Sequence, residues 1–217
     1  MARIRASLVI GCCVFVSACM LNAINGSGKI ATEPRTVSGF STVSLSGSGQ
    51  VFIEQGGTES LTVTTDDNLL RYIKTEVHGN TLELGFTDPM TNVQPTNDIV
   101  FKLMVKKLEG LEISGSGKAD VKGLAQDRLQ VRISGSGNVT GQGSATDLDL
   151  RISGSGSYRG QEIKSQRATV GVSGSGDAVI SASDTLKDDV SGSGTVEYVG
   201  APQVTENVSG SGSVRRR

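Results

Sequence analysis

The sequence predicts an all-β fold, a right-handed parallel β-helix-like solenoid with rungs of about 18–21 residues. First, the tetrapeptide Ser-Gly-Ser-Gly occurs seven times, and the last six copies start 20, 19, 20, 18 and 18 residues apart. A period near twenty residues is typical of solenoids. Second, apolar and polar residues alternate before the copies, which indicates strands with one buried face. The copies start at Ser46, Ser114, Ser134, Ser153, Ser173, Ser191 and Ser209.

Each repeat is predicted to contain a strand, a Ser-Gly-Ser-Gly corner, a short strand and a turn. At about 3.3 Å per residue, some nineteen residues trace a small closed rung, and stacked rungs lie ~4.8 Å apart. Glycine permits a positive φ at a corner, for example at Gly135 and Gly154. We expect the serine hydroxyls of a column to hydrogen-bond to one another and to corner backbone groups outside the ladder. Opposite charges on adjacent rungs, Glu112 and Arg132, are compatible with this stacking.

The long gap between the first two copies is predicted to hold further rungs, with strands at Leu61/Val63 and at Leu82/Leu84. The excess length is expected to loop out over 88–95. Asp66, Asp67 and Asn68 are expected to cap one helical turn through Leu70 and Tyr72. An antiparallel meander is the alternative for this stretch.

The last repeats depart from the apolar pattern. Asp188 and Glu206 stand where earlier repeats have Val or Leu, which indicates either a taper or a register change near the end. Such atypical terminal repeats are common in solenoids. The basic tail, 215–217, is interpreted as a solvated end, with contact to anionic lipid or polysaccharide as the alternative.

The N-terminus has the features of a bacterial export signal. Arg3 and Arg5 precede an apolar stretch, 6–16, that is too short to span a bilayer. It ends in Val16-Ser17-Ala18-Cys19, which resembles a lipobox, although leucine is commoner than valine at the first position. The resemblance implies cleavage before Cys19 and lipidation of its thiol. A plain signal peptide cut near Ala18 is the alternative.

These features divide the chain into a lipoprotein signal peptide (1–18), a lipid-anchored linker (19–35), a β-solenoid domain (36–214) and the tail. Cys12 and Cys13 fall in the discarded segment, so the mature chain holds one cysteine. Met20, rather than aspartate, follows the lipidated cysteine and favours delivery to the outer membrane. The expected location is therefore the bacterial cell envelope.

Several motifs in the mature chain resemble the auto-transporter adhesin, head GIN domain, family. They are Val37-Ser38-Gly39-Phe40, the first Ser-Gly-Ser-Gly followed by Val51, Asp67-Asn68-Leu69-Leu70 and the later Ser-Gly-Ser-Gly copies. The resemblance covers about 36–214. It implies a parallel β-helix-like fold and an envelope location, and it brings no catalytic or binding residues with it.

Motifs for catalysis, metals, cofactors and nucleic acid are not found. The one histidine, His78, lies beside Gly79-Asn80 in a predicted turn, and no Gly-x-Ser-x-Gly nucleophile motif occurs. Zinc-ligand spacing is absent. The column of Asp177 varies too much for a stacked calcium site, and Asp66, Asp67 and Asp88 are better explained as turn residues than as calcium ligands. The net charge of −1 gives no reason to expect nucleic acid.

The first function hypothesis is a non-enzymatic envelope lipoprotein that presents a solenoid surface for adhesion or for a glycan or protein ligand. A polysaccharide-processing enzyme is the second, and it would need paired acidic or basic groups in a cleft. Asp120, Arg159 and Glu197 share a predicted column but lie on non-adjacent rungs. A structural or regulatory lipoprotein is the third. The sequence leaves the oligomeric state open.

Overall fold

The chain folds into a parallel stacked β-solenoid of about five turns, as the repeat spacing predicts. The structure is a computed structural model that describes residues 23–88 and 92–217. The predicted signal peptide, Cys19 and part of the predicted 88–95 loop lie outside these residues. No helix in the described ranges is long and apolar enough to cross a bilayer.

Short strands form the first half of the described chain and long strands the second. The first half also contains one 3₁₀ turn, Leu70–Tyr72. Its strands are β1 Ile24–Asn25, β2 Ile30–Arg35, β3 Thr42–Gly47, β4 Gln50–Gln55, β5 Ser60–Asp66, β6 Ile73–His78, β7 Thr81–Phe86, β8 Val93–Gln94 and β9 Val100–Val105.

In the second half, four long strands of 16–18 residues each follow most of one solenoid turn, with shorter strands before and after them. These strands are β10 Gly110–Gly115, β11 Lys118–Gly135, β12 Asn138–Gly154, β13 Ser157–Gly174, β14 Asp177–Gly192, β15 Thr195–Val199, β16 Gln203–Gly210 and β17 Ser213–Arg216. Neighbouring turns pair in parallel, residue by residue along most of their length.

All seven Ser-Gly-Ser-Gly corners stack in vertical register. Ser46 pairs with Ser114, and each later corner serine pairs with its equivalent on the next turn up to Ser209. The residue before each corner points into the core, where the first six side chains of its column are almost fully buried: Leu45, Ile113, Ile133, Ile152, Val172 and Val190.

Both glycines of a corner are required, for different reasons. Gly135, the first glycine of its corner, has φ +109°, and a Cβ there would lie 2.7 Å from the carbonyl oxygen of Gly115 on the preceding turn. Gly137, the second, faces the core, and its Cβ would lie 2.5 Å from Cγ2 of Ile113. A side chain at either position therefore conflicts with the stacking itself.

The prediction that the corner serine hydroxyls bond to one another is wrong. The Ser136 amide donates to the Gly115 carbonyl at 2.9 Å, and the Asn138 amide donates to the Gly117 carbonyl at 3.0 Å. Because the backbone ladder continues through the corner, these amides and carbonyls already have backbone partners. In the part of the chain that the structure describes, these hydroxyls make no hydrogen bonds with each other.

The long gap between the first two corners contains one further parallel level, β7 against β3 and β9 against β4, together with an inserted antiparallel segment. β10 stacks directly on β3. β5, which carries Leu61 and Val63, runs antiparallel to β2 and β9, so the predicted parallel rung is wrong there and the antiparallel alternative holds. β7, which carries Leu82 and Leu84, does lie parallel to β3, but it is also half of an antiparallel hairpin with β6. Within 23–88, the 3₁₀ turn forms without a side-chain cap.

The C-terminal repeats taper without a register change. Asp188 lies beside Val170 on one turn and beside Glu206 on the next, in the expected column. The period shortens to 18 residues through register shifts in the pairing of β13 with β14, between Arg159 and Arg167. The core column therefore continues straight through a buried carboxyl group.

Candidate ligand-binding surface

Charged side chains on the outer faces pair with partners on adjacent turns. Arg132 lies 3.3 Å from Glu112, as the sequence suggests. Arg167 makes two hydrogen bonds to Asp147, of 2.6 and 2.9 Å, and this contact holds the pKa of the Asp147 carboxyl below its usual range. Such exposed pairs contribute little to stability individually. Other outward charged groups, among them Lys118, Arg128 and Arg159, have no ion-pair partner within 4.0 Å among the described residues.

One groove crosses the outer face formed by β13, β14, β15 and β17. It encloses about 430 Å³. Arg159, Val179, Glu197 and Arg215 occupy successive turns of one column along it. Glu197 accepts a 2.9 Å hydrogen bond from Nε of Arg215, which holds the pKa of Glu197 below its usual range. The groove is therefore a charged depression, in which the small apolar side chain of Val179 lies between Arg159 and Glu197 in their column.

The column that contains Asp120, Arg159 and Glu197 is confirmed. Thr140 separates Asp120 from Arg159, and Val179 separates Arg159 from Glu197. The side chain of Asp120 accepts a hydrogen bond from Thr140 at 3.1 Å. Asp120 and Glu197 each lie two turns from Arg159, roughly 10 Å, and four turns from one another, too far for direct proton transfer between them.

A second depression, of about 420 Å³, lies on the other outer face and was missed by sequence reasoning. Its column runs through Arg132, Arg151, Gly171 and Asp189. The signal was present: Gly171 interrupts a column of long side chains. It could be found only by comparing equivalent positions of successive repeats, because the sequence of a single strand does not show it.

Asp66 holds the N-terminal segment against the solenoid. Its buried carboxylate accepts hydrogen bonds from the Gly28 amide (2.8 Å), the Thr96 amide (2.9 Å) and the Thr96 hydroxyl (2.7 Å). Burial opposes ionisation, but these hydrogen bonds outweigh it and lower the pKa of Asp66. Asp67 bonds to the Ser27 hydroxyl at 2.6 Å. Both carboxylates are occupied by donors distant in the sequence, and neither caps the 3₁₀ turn, so the prediction that they cap this turn is wrong.

Replacing Asp66 by alanine is expected to loosen residues 23–35, because three donors lose their acceptor. Limited proteolysis should then cut this segment faster than in the wild-type protein. Asp67→Ala is the matched control and should have a smaller effect, since its contacts are exposed. Equal cleavage rates in both variants would contradict the anchoring role of Asp66.

The other candidate residues are not brought together. His78 ends β6 at the hairpin turn, is exposed, and lies 3.2 Å from Glu76. Asp177 lies outward between Ser157 and Thr195, which supply no carboxylates beside it. Across residues 23–88 and 92–217, no group of three or more His, Cys, Asp or Glu side chains could hold a metal ion.

Solved structures with the same fold come from Bacteroides and Parabacteroides species. A putative adhesin from Bacteroides fragilis is 21% identical, with 89% of this chain and 100% of that chain covered and a TM-score of 0.71. A putative adhesin from Parabacteroides distasonis is 22% identical, with 90% and 100% covered and a TM-score of 0.63. A putative lipid binding protein from the same species is 23% identical, with 90% and 99% covered and a TM-score of 0.59. At these identities the likeness establishes the fold.

No match to this chain was found among curated proteins. The sequence pattern of one family, described as "Putative auto-transporter adhesin, head GIN domain", matches residues 39–202. That range includes six of the seven stacked corners and the whole insertion. The chain therefore belongs to the auto-transporter adhesin, head GIN domain, family.

Proposed function

We propose that the protein is a non-enzymatic envelope lipoprotein, anchored through Cys19, that presents its solenoid faces for adhesion or partner binding. The observation that carries this proposal is the regular outer surface. Several of its charged side chains form ion pairs between adjacent turns. Asp120, Arg159 and Glu197 lie on separated turns rather than converging on one reacting atom. Extended stacked faces of this kind suit elongated ligands.

The described N-terminal strands support a close attachment. Five residue steps separate Cys19 from Ile24, the first residue of β1, and they span at most roughly 18 Å. β1 pairs with β8, and the Asp66 contacts fix the following residues. The insertion end of the solenoid is thereby held near the membrane.

The opposite end is then presented outward. Ten strands are stacked from β2 to β17 on one face, and nine spacings of ~4.8 Å amount to about 43 Å. With the solenoid axis directed away from the membrane, as we propose, the 215–217 tail lies far from the anchoring membrane. A contact between that tail and lipid of the same membrane is not part of the proposal.

Replacing Cys19 by alanine tests the anchor. The variant is expected to move from the membrane fraction to the soluble fraction, because the acyl chains that hold the protein are lost. Cell fractionation measures the change of fraction, and metabolic palmitate labelling measures the loss of the acyl chains. Ser17→Ala, which keeps a small residue before the cysteine, is the control and should remain membrane-bound. Unchanged partitioning of the Cys19 variant would contradict the anchor.

A further inference from the structure

We propose that the groove along Arg159, Val179 and Glu197 binds the carboxylate of an acidic saccharide, one uronic-acid unit per groove. This inference rests on the proposed function and names a ligand class for it. Arg159 and Glu197 lie two turns apart, roughly 10 Å, with Val179 between them. The depression is therefore about as wide as one sugar ring.

The charge of Arg159 is uncommitted. Arg132, Arg151, Arg167 and Arg215 each have a carboxylate oxygen within 3.5 Å. In the described part of the chain, Arg159 has no carboxylate within 4.0 Å; its column neighbours are Thr140 and Val179. A planar guanidinium without a protein partner is suited to binding a carboxylate with two parallel hydrogen bonds.

A shielded acceptor lines the same groove. Oε1 of Gln161 is hidden from solvent and has no hydrogen-bond partner among the described residues. A buried acceptor left without a donor is unfavourable. Rotation of the Gln161 side chain toward the groove lets a hydroxyl group of a bound sugar donate to this oxygen. A carboxylate next to hydroxyl donors is the chemistry of a uronic acid.

The charge balance favours one carboxylate over a densely charged polyanion. Arg159, Arg215 and Arg217 line the groove together with Asp177 and Glu197, so three positive and two negative groups leave +1. Arg215 already donates to Glu197. The apolar surface available is the side chain of Val179, which can contact a sugar ring but offers no cavity for a large peptide side chain.

Titration of the full-length protein in detergent micelles with tetragalacturonate tests the proposal, with maltotetraose as the neutral comparison. Wild-type protein should bind the acidic sugar only. Arg159→Gln should weaken binding roughly ten- to hundredfold, the loss expected for a bidentate charged contact. Val179→Gln should abolish binding, because the longer side chain fills the groove without changing its charge. Arg132→Gln removes the same charge from the other face and should bind as wild type does.

Any of three results would overturn the assignment. The first is that the wild-type protein does not bind tetragalacturonate, and the second is that binding survives both groove substitutions. The third is that tetraglutamate binds as tightly, with the same dependence on Arg159. Each result leaves the partitioning of the Cys19 variant unaffected. Failure of the groove and failure of the anchor are therefore separate outcomes.

Discussion

Replacing Gly135 by valine is expected to lower the free energy of unfolding by about 3–5 kcal/mol. Gly135 has φ +109°, where a β-branched residue is strained, and its Cβ would lie 2.7 Å from the Gly115 carbonyl oxygen. That oxygen accepts the hydrogen bond from Ser136 that carries the ladder through the corner. The substitution thus disturbs both backbone conformation and pairing. Urea denaturation followed by circular dichroism measures the loss, and Gly154→Val should match it.

Gly171→Val is the matched control. Gly171 lies on an outward position of β13, where the nearest atom to a new Cβ is Nη1 of Arg151 at 3.6 Å. Valine favours extended strands, so this variant should be as stable as wild type or slightly more so. Equal stability of the Gly135 and Gly171 variants would contradict the requirement for glycine at the corners.

Asp188 is expected to make the solenoid less stable as the pH rises from about 4 to about 7. Its side chain is 1% exposed, and neither carboxyl oxygen has a hydrogen-bond partner among the described residues. Burial, assisted by the charge of Glu206, raises the pKa of Asp188 to about 7, against about 3.9 in an unfolded chain. Between these values the unfolded chain loses a proton that the folded chain keeps. The stabilisation is therefore complete below about pH 4 and lost above about pH 7, amounting to ~4 kcal/mol.

Denaturation between pH 4 and pH 8 measures this effect. Asp188→Asn should remove most of the dependence, since an amide does not titrate. Asp188→Val matches Val170 in the same column and should raise the free energy of unfolding at pH 8 by about 2–4 kcal/mol, because no buried charge remains. A Val variant that is less stable than wild type at pH 8 would show that the carboxylate has a compensating partner.

The stacked core was predictable because one short motif recurs at an almost constant spacing. Its glycines cannot be replaced without conflict between adjacent turns, so the motif marks the same corner on every turn. The alternation before each corner then assigned inward and outward residues correctly, including Val131 and Ile133. Even Asp188 was placed in its proper column.

The insertion was not predictable in the same way. Alternation at Leu61 and Val63 indicates a half-buried strand but does not distinguish parallel from antiparallel pairing. The two-residue turn at Gly79-Asn80, with φ +63° at Gly79, directs β7 back along β6. The expectation for the serine hydroxyls failed because the backbone ladder continues through the corners.

The candidate binding surface was only partly readable. Aligning the repeats placed Arg159 and Glu197 in one column. Whether Arg159 finds a carboxylate depends on side-chain reach between turns, and that Gln161 is shielded depends on how β13 bends after Arg159. Both are tertiary features that a one-dimensional alignment of repeats does not contain.

Distances between spin labels on corner serines test the stacked-corner arrangement most directly. With one label replacing Ser114, a second label replaces Ser173, Ser191 or Ser209 in separate double variants. Vertical stacking predicts backbone separations of about 14, 19 and 24 Å, rising by ~4.8 Å per turn. Separations that do not increase in equal steps, or that shorten at Ser209, would contradict the solenoid.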